Sequence, residues 1–154
     1  MKDKFNEYIQ RMPILLNELK GKPLLNRHEL EGIPKSGVYV FYREGKPLYV
    51  GRSNRLKERI QEHGRPSSDH YSATFAFRLA KEEMSKDKDI PKDITRKELE
   101  NAPGFAEMFY IARANVAQMK IRVIEIECQV DQALFEIYAV LALNTTKYND
   151  FSTH

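Results

Sequence analysis

Between Gly37 and His63 the chain reads GVYVFYREGKPLYVGRSNRLKERIQEH, and this stretch constrains the fold more tightly than any other. Val38, Val40 and Tyr42 alternate with Tyr39 and Phe41, the period-2 pattern of a strand. Arg43-Glu44-Gly45-Lys46 is a polar turn with a glycine. Pro47 stands where the return strand Leu48-Tyr49-Val50-Gly51 begins, so the pair predicts a β-hairpin. Ser53 or Asn54 can then cap a helix running from about Arg55. On that helix Arg55, Arg59 and His63 recur every four residues and share one face, while Leu56 and Ile60 lie on the adjacent face and can pack on the sheet. Two guanidiniums and an imidazole beside two strand tyrosines suit a phosphodiester. Arginine offers a planar fork of donors that matches phosphate. Histidine can donate to an oxygen or exchange a proton near neutrality.

Gly37-Val38-Tyr39 and Tyr49-Val50-Gly51, with ten residues from Tyr39 to Tyr49, resemble the paired motif of the GIY-YIG nuclease superfamily. Arg59 and His63 match the arginine and histidine of that family's first core helix. Glu136, in Ala133-Leu134-Phe135-Glu136-Ile137-Tyr138, resembles its metal-binding glutamate. Asn149 resembles its late asparagine. The resemblance covers residues 32 to 63 and 119 to 150. It implies an α+β fold, a small, mainly antiparallel three-stranded sheet flanked by helices, with a helical insertion at 64–118 between the first core helix and the third strand. Residues 1–31 are then an N-terminal helical extension within a single domain, 1–154.

The implied activity is hydrolysis of phosphodiester bonds in nucleic acid, DNA before RNA, by a metal-dependent endonuclease of repair, restriction or mobile elements. Mg²⁺ or Mn²⁺ is the implied cofactor. The implied roles follow residue by residue. Glu136 holds the metal on the scissile phosphate. Arg59 neutralises phosphoryl charge, and Tyr39 accepts the proton of the attacking water. Tyr49 and His63 assist by hydrogen bonding, and Asn149 orients the site. A tyrosine of ordinary pKa near ~10 is a poor base at neutral pH. Arg55 and Arg59 are expected to lower that of Tyr39. Arg52, Arg55, Lys57, Arg65 and His70 are candidate nucleic-acid contacts. The alternative is a non-catalytic nucleic-acid-binding or protein-interaction module on the same fold, with Glu136 as the residue that separates the two.

Composition bounds these readings. A chain of 154 residues suits one domain with a proper core. A net charge of +3 permits a polyanion partner without requiring one. The single cysteine, Cys128, excludes a disulfide framework and a cysteine-rich zinc site, and its apolar surroundings predict a buried thiol. No apolar run reaches the ~18 residues that span a bilayer. The first residues lead into an amphipathic pattern, not a signal peptide. A cytoplasmic protein without a membrane partner is expected, as a homodimer or with a recruiting protein.

The remaining elements follow from periodicity. Phe5, Tyr8, Ile9, Met12, Leu15, Leu16 and Leu19 predict a helix over 3–20 that Pro13 kinks or splits. Residues 21–36 read as a connecting loop. Gly64 to Ser72 is a polar loop, in which Ser, Asp and His do not make a triad without geometry. Residues 73–85 favour a helix over a strand, and 85–94 form a charged linker. Thr95-Arg96-Lys97-Glu98 has capping-box spacing. Phe105, Met108, Phe109, Ala112 and Val116 predict a helix with an aromatic core face. Met119 to Cys128 reads as a third strand, apolar on both faces and so central in the sheet. Asp131 caps a last helix over 132–143, with Leu134, Ile137, Tyr138 and Leu141 as its buried stripe. The tail from Asn144 to His154 packs back through Tyr148 and Phe151.

Overall fold

The hairpin forms where the alternation places it. The structure, a computed structural model, describes residues 2–151; the last three residues of the tail lie outside the described residues. Strand β1 is Gly37–Arg43 and β2 is Lys46–Ser53, joined by a two-residue loop. Glu44 and Gly45 both take positive φ, 52° and 76°, the backbone that matches strand twist in the tightest hairpins. The register shifts between Phe41 and Tyr42, where Leu48 is the extra residue opposite.

Strand β3, Lys120–Glu125, pairs antiparallel with β1. The sheet order is β2-β1-β3, so β1 is central and β3 is an edge strand. The expectation of a central β3 is therefore corrected. Its apolar residues report burial of both sheet faces, not neighbours along both edges. Ile124 lies on one face with Val38, Val40 and Val50, while Ile121 and Val123 lie opposite Phe41 and Tyr39 on the other.

Two helices cover the first of these faces. Helix α1, Lys2–Lys20, runs unbroken through Pro13 and buries Met12, Leu16 and Leu19. The last main helix spans Gln129–Leu143 and begins three residues earlier than the sequence suggested. Cys128 is its N-cap position and is exposed, which corrects the buried thiol. Asp131 does not cap; it sits in the first turn and binds Arg11 at 2.9 Å. The buried stripe is also displaced. Gln132, Phe135, Ala139 and Val140 face inward, whereas Ile137 and Leu141 are exposed and Leu134 and Tyr138 half-buried. A helix apolar around most of its circumference has no strong periodic phase, and the fit of Phe135 into the core sets it.

The described chain divides into two compact units, 1–60 with 119–154, and 61–118. The first holds the sheet and the two helices above. Helix α2, Leu56–Gly64, starts in it and ends in the second. The second holds α3 (Thr74–Met84), α4 (Arg96–Glu100) and α5 (Phe105–Ala117), so the last main helix is α6. The 64–118 segment is thus helical, as expected, and 73–85 is helix, not strand. Phe77 meets Phe105 and Phe109 edge-on at 5.3 and 6.0 Å, and these rings are the core of the second unit. Thr95 accepts from the Glu98 N–H and caps α4 as its spacing predicts.

Candidate active site

The register explains why the motif needs its glycines. Tyr39 lies opposite Gly51, and Phe41 opposite Tyr49, so all four share one sheet face. The Tyr39 ring crosses the strand directly over Gly51: a Cβ there would stand 2.3 Å from the Tyr39 hydroxyl. Gly37 is held equally close, since a Cβ would fall 1.9 Å from the Ile124 carbonyl oxygen. Glycine at these positions lets an aromatic ring and a neighbouring backbone occupy space that any side chain would take.

Tyr39 is fully buried. Arg59, from α2, hydrogen-bonds its hydroxyl, and Tyr49 and Glu136 lie close enough to act on it electrostatically. Four residues therefore converge: two tyrosines from adjacent strands and an arginine from α2, all from one short stretch, and a glutamate from the distant α6. Burial, reinforced by Tyr49 and Glu136, holds the Tyr39 phenol well above its ordinary pKa, while Arg59 opposes the shift. The expected lowering is corrected: Arg59 acts in that direction, but desolvation is larger, and Arg55 is not among the causes.

Glu136 is part-buried, and its carboxyl pKa is raised by that burial. Arg52 stands with Nε 3.6 Å from Oε1 and acts the other way. Glu136 thus lies beside Arg52 and within electrostatic reach of Tyr39, not out in solvent. Among the described residues no group of three or more His, Cys, Asp or Glu converges. The donor set for a cation is this one carboxylate, which fits a hard divalent ion that keeps most of its water.

Asn149 is buried and faces the outer edge of β2. Its Oδ1 accepts from the Val50 N–H at 3.0 Å and its Nδ2 donates to the Val50 carbonyl at 2.7 Å. The side-chain amide thereby stands in for a further strand residue and fixes the edge between Tyr49 and Gly51. Thr145 Oγ1 donates to the same Oδ1 at 2.9 Å.

The candidate nucleic-acid contacts meet different fates. Arg55 is exposed just before α2, and Ser53 Oγ accepts its N–H at 2.9 Å. The first helical bond runs from the Arg59 N–H to the Arg55 carbonyl, so Arg55 holds the cap position and the expected cap at Ser53 or Asn54 is corrected. Arg52 is held on Glu136. Lys57 is drawn to Glu31 at 2.6 Å. In the second unit Arg65 is exposed, and His70 Nδ1 is turned onto Glu100 with its ring 4.0 Å from that of Tyr71. His63 lies one turn beyond Arg59 on α2 and is fully buried.

One network was not anticipated. Asn54 exchanges amide hydrogen bonds with Gln129, at 3.2 and 2.9 Å, and its Oδ1 accepts from Gln132 Nε2 at 3.0 Å. It ties the residue before Arg55 to the first turn of α6, one turn ahead of Glu136. Asn54 was legible only as a capping candidate, because partners 75 and 78 residues away leave no local pattern.

Residues 35–102 match the family model of the GIY-YIG catalytic domain. This match supports the GIY-YIG nuclease superfamily for the chain. The three-stranded antiparallel sheet flanked by helices is consistent with the GIY-YIG fold, and the match supports a nuclease-type function in general. The match takes in Tyr39, Tyr49, Arg59 and His63; Glu136 and Asn149 lie beyond it, and it is the structure that brings them to the motif. No curated protein and no solved structure matches the chain. No helix among the described residues is long and apolar enough to cross a membrane.

Proposed function

We propose that this GIY-YIG domain is a divalent-metal-dependent endonuclease acting on DNA. The observation that carries the reading is the convergence on Tyr39: Arg59 on its hydroxyl, with Tyr49 and Glu136 within electrostatic reach. Glu136 would hold one Mg²⁺ or Mn²⁺, which supplies positive charge at the scissile phosphate when bound. Arg59 carries a charge that never leaves and faces the phosphoryl oxygens. Tyr39, kept neutral by burial, holds the attacking water through its hydroxyl; it accepts that water's proton only in its phenolate form, after its own proton has passed to solvent. Tyr49 supports Tyr39 across the strand pair. His63, one turn past Arg59 on the same helix, assists by hydrogen bonding. Asn149 acts through the backbone of Val50 and is a positioning residue. Arg55 and Arg65, exposed, contact the nucleic-acid backbone, with Arg52, Lys57 and His70 joining once released from their carboxylates. DNA repair, restriction or mobile-element cleavage in the cytoplasm is the proposed setting.

A second reading rests on the Arg52–Glu136 pair. If Arg52 neutralises Glu136 permanently, the same face binds phosphate without cutting. Plasmid nicking separates the two. Supercoiled DNA is incubated with the protein in Mg²⁺, Mn²⁺ or EDTA, beside Glu136→Ala and Arg52→Ala. Metal-dependent nicking that Glu136→Ala abolishes supports the nuclease. Binding without nicking in every metal, with Arg59→Ala weakening it, supports the binding module.

A further inference from the structure

The outer edge of β3 is only partly closed. Leu25 pairs with Ile121, its N–H donating to the Ile121 carbonyl at 2.7 Å and its carbonyl accepting the Ile121 N–H at 2.8 Å. This bond pair fixes the phase of the strand. Residues 121, 123 and 125 aim their backbone groups away from β1, and 120, 122 and 124 aim theirs towards it. The Ile126 N–H, bonded to the Ser36 carbonyl at 3.1 Å, agrees with that phase. The outward N–H and C=O of Val123 and Glu125 therefore have no strand to pair with. The antiparallel register that sets Leu25 opposite Ile121 would bring Pro23 opposite Val123. Proline has no N–H to give, and the ladder stops at Leu25.

A groove of about 300 Å³ opens at this place. Leu25, Ile33, Pro34 and Val123 give it apolar walls, and Glu18, Lys22 and Glu125 give it a charged rim. Lys22 stands 4.0 Å from Glu18, while Glu125 has no ion-pair partner among the described residues, so the rim carries an uncompensated negative charge. Natural sheets blunt such edges with a charge, a proline or a cover. Here Leu25 covers one position, and beyond it the groove is lined by Val123, 6% exposed, and by the exposed Glu125.

We infer that this edge is a docking site for an extended segment of a partner protein, which adds a short strand at Val123 and Glu125, seats apolar side chains against Leu25 and Ile33, and sets a lysine or arginine on Glu125. The unpaired backbone groups specify an extended peptide, since a helix has no free donors and acceptors to offer them. The charge of the rim selects a basic one. The inference stands on unit 1 alone and holds whether or not the domain cuts.

The test is a selection from a phage-displayed library of random twelve-residue peptides on the immobilised full chain, followed by calorimetry of an enriched synthetic peptide. Glu125→Pro removes one outward N–H without touching a bond to β1, and proline is tolerated at such an edge position. Glu125→Gln removes only the charge. The expected peptides alternate apolar residues and carry Lys or Arg. Their Kd should rise at least tenfold in Glu125→Pro and a few-fold in Glu125→Gln. In the wild-type chain, added peptide should protect the Val123 and Glu125 amides from hydrogen exchange, a readout that does not require the proline variant to fold. No enrichment, equal binding to wild type and Glu125→Pro, or unchanged exchange at those amides overturns the inference. So does a concentration-dependent dimer that Glu125→Pro dissociates, which would assign the edge to a second copy of the chain.

Discussion

Tyr39 and Glu136 are both held where their charged forms are disfavoured, and each has a pH signature. If Tyr39 accepts the proton in nicking, only its ionised fraction works. Because its pKa lies well above the ordinary value, the single-turnover rate should climb about tenfold per pH unit from 7 to 9 at saturating metal. A flat profile would remove Tyr39 as the base and leave it to orient the water. For Glu136 the sign runs the other way round in stability. A carboxyl whose folded pKa is raised binds its proton more tightly in the folded state, so folding is favoured at low pH. That advantage is lost as pH rises from the ordinary glutamate pKa through the raised one. Glu136→Gln should therefore unfold at a higher temperature than the wild type at pH 7, with the difference vanishing below the ordinary carboxylate range. The same variant should lose metal-dependent nicking and calorimetric Mn²⁺ binding. A more stable but inactive variant is what a site held at the expense of stability gives; a destabilised one would make Glu136 a structural partner of Arg52.

At the scale of elements, what was legible in the sequence was local. The hairpin and the Thr95 cap of α4 each rest on residues within a few positions of one another, and each formed as read, whereas the cap before α2 fell on Arg55 and not on Ser53 or Asn54. The edge position of β3, the start of α6 and the exposure of Cys128 depend on partners about a hundred residues away, which no periodicity encodes. The site divides the same way. Tyr39, Tyr49 and Arg59 lie within one short stretch, but the pull of burial on Tyr39 was invisible, because desolvation belongs to the whole fold. Asn149 was expected by resemblance to orient the site, without the means by which it does so. It completes β2: the Val50 N–H and carbonyl face outward and, among the described residues, meet this side chain alone. Removing a partner from two buried backbone groups costs about 1–3 kcal/mol for each group left unmet. Asn149→Ala should thus lower stability by about 2–6 kcal/mol in urea unfolding, with Asn149→Asp keeping the acceptor and losing the donor. An unchanged midpoint in Asn149→Ala would show that water replaces the amide and that the strand edge needs no closure.

At the scale of the molecule, charge is unevenly shared. Residues 61–118 carry nine Lys and Arg against ten Asp and Glu, a net of −1, so the remainder of the chain, with the whole at +3, carries +4. Counterion release scales with the number of phosphates neutralised, and a unit without net positive charge adds little to it. The electrostatic part of nucleic-acid affinity therefore belongs to the unit that holds the sheet and the first turn of α2. Whatever the helical second unit contributes rests on shape and on single side chains such as Arg65, not on a charged surface. Salt titration separates these contributions. In fluorescence anisotropy with a DNA duplex, Arg55→Ala should lower the slope of log affinity against log salt by about 1. Lys88→Ala, an exposed lysine in the second unit's linker, should leave it unchanged. Equal losses from both variants would spread the phosphate contacts over the whole chain and make the second unit a part of the nucleic-acid surface in its own right.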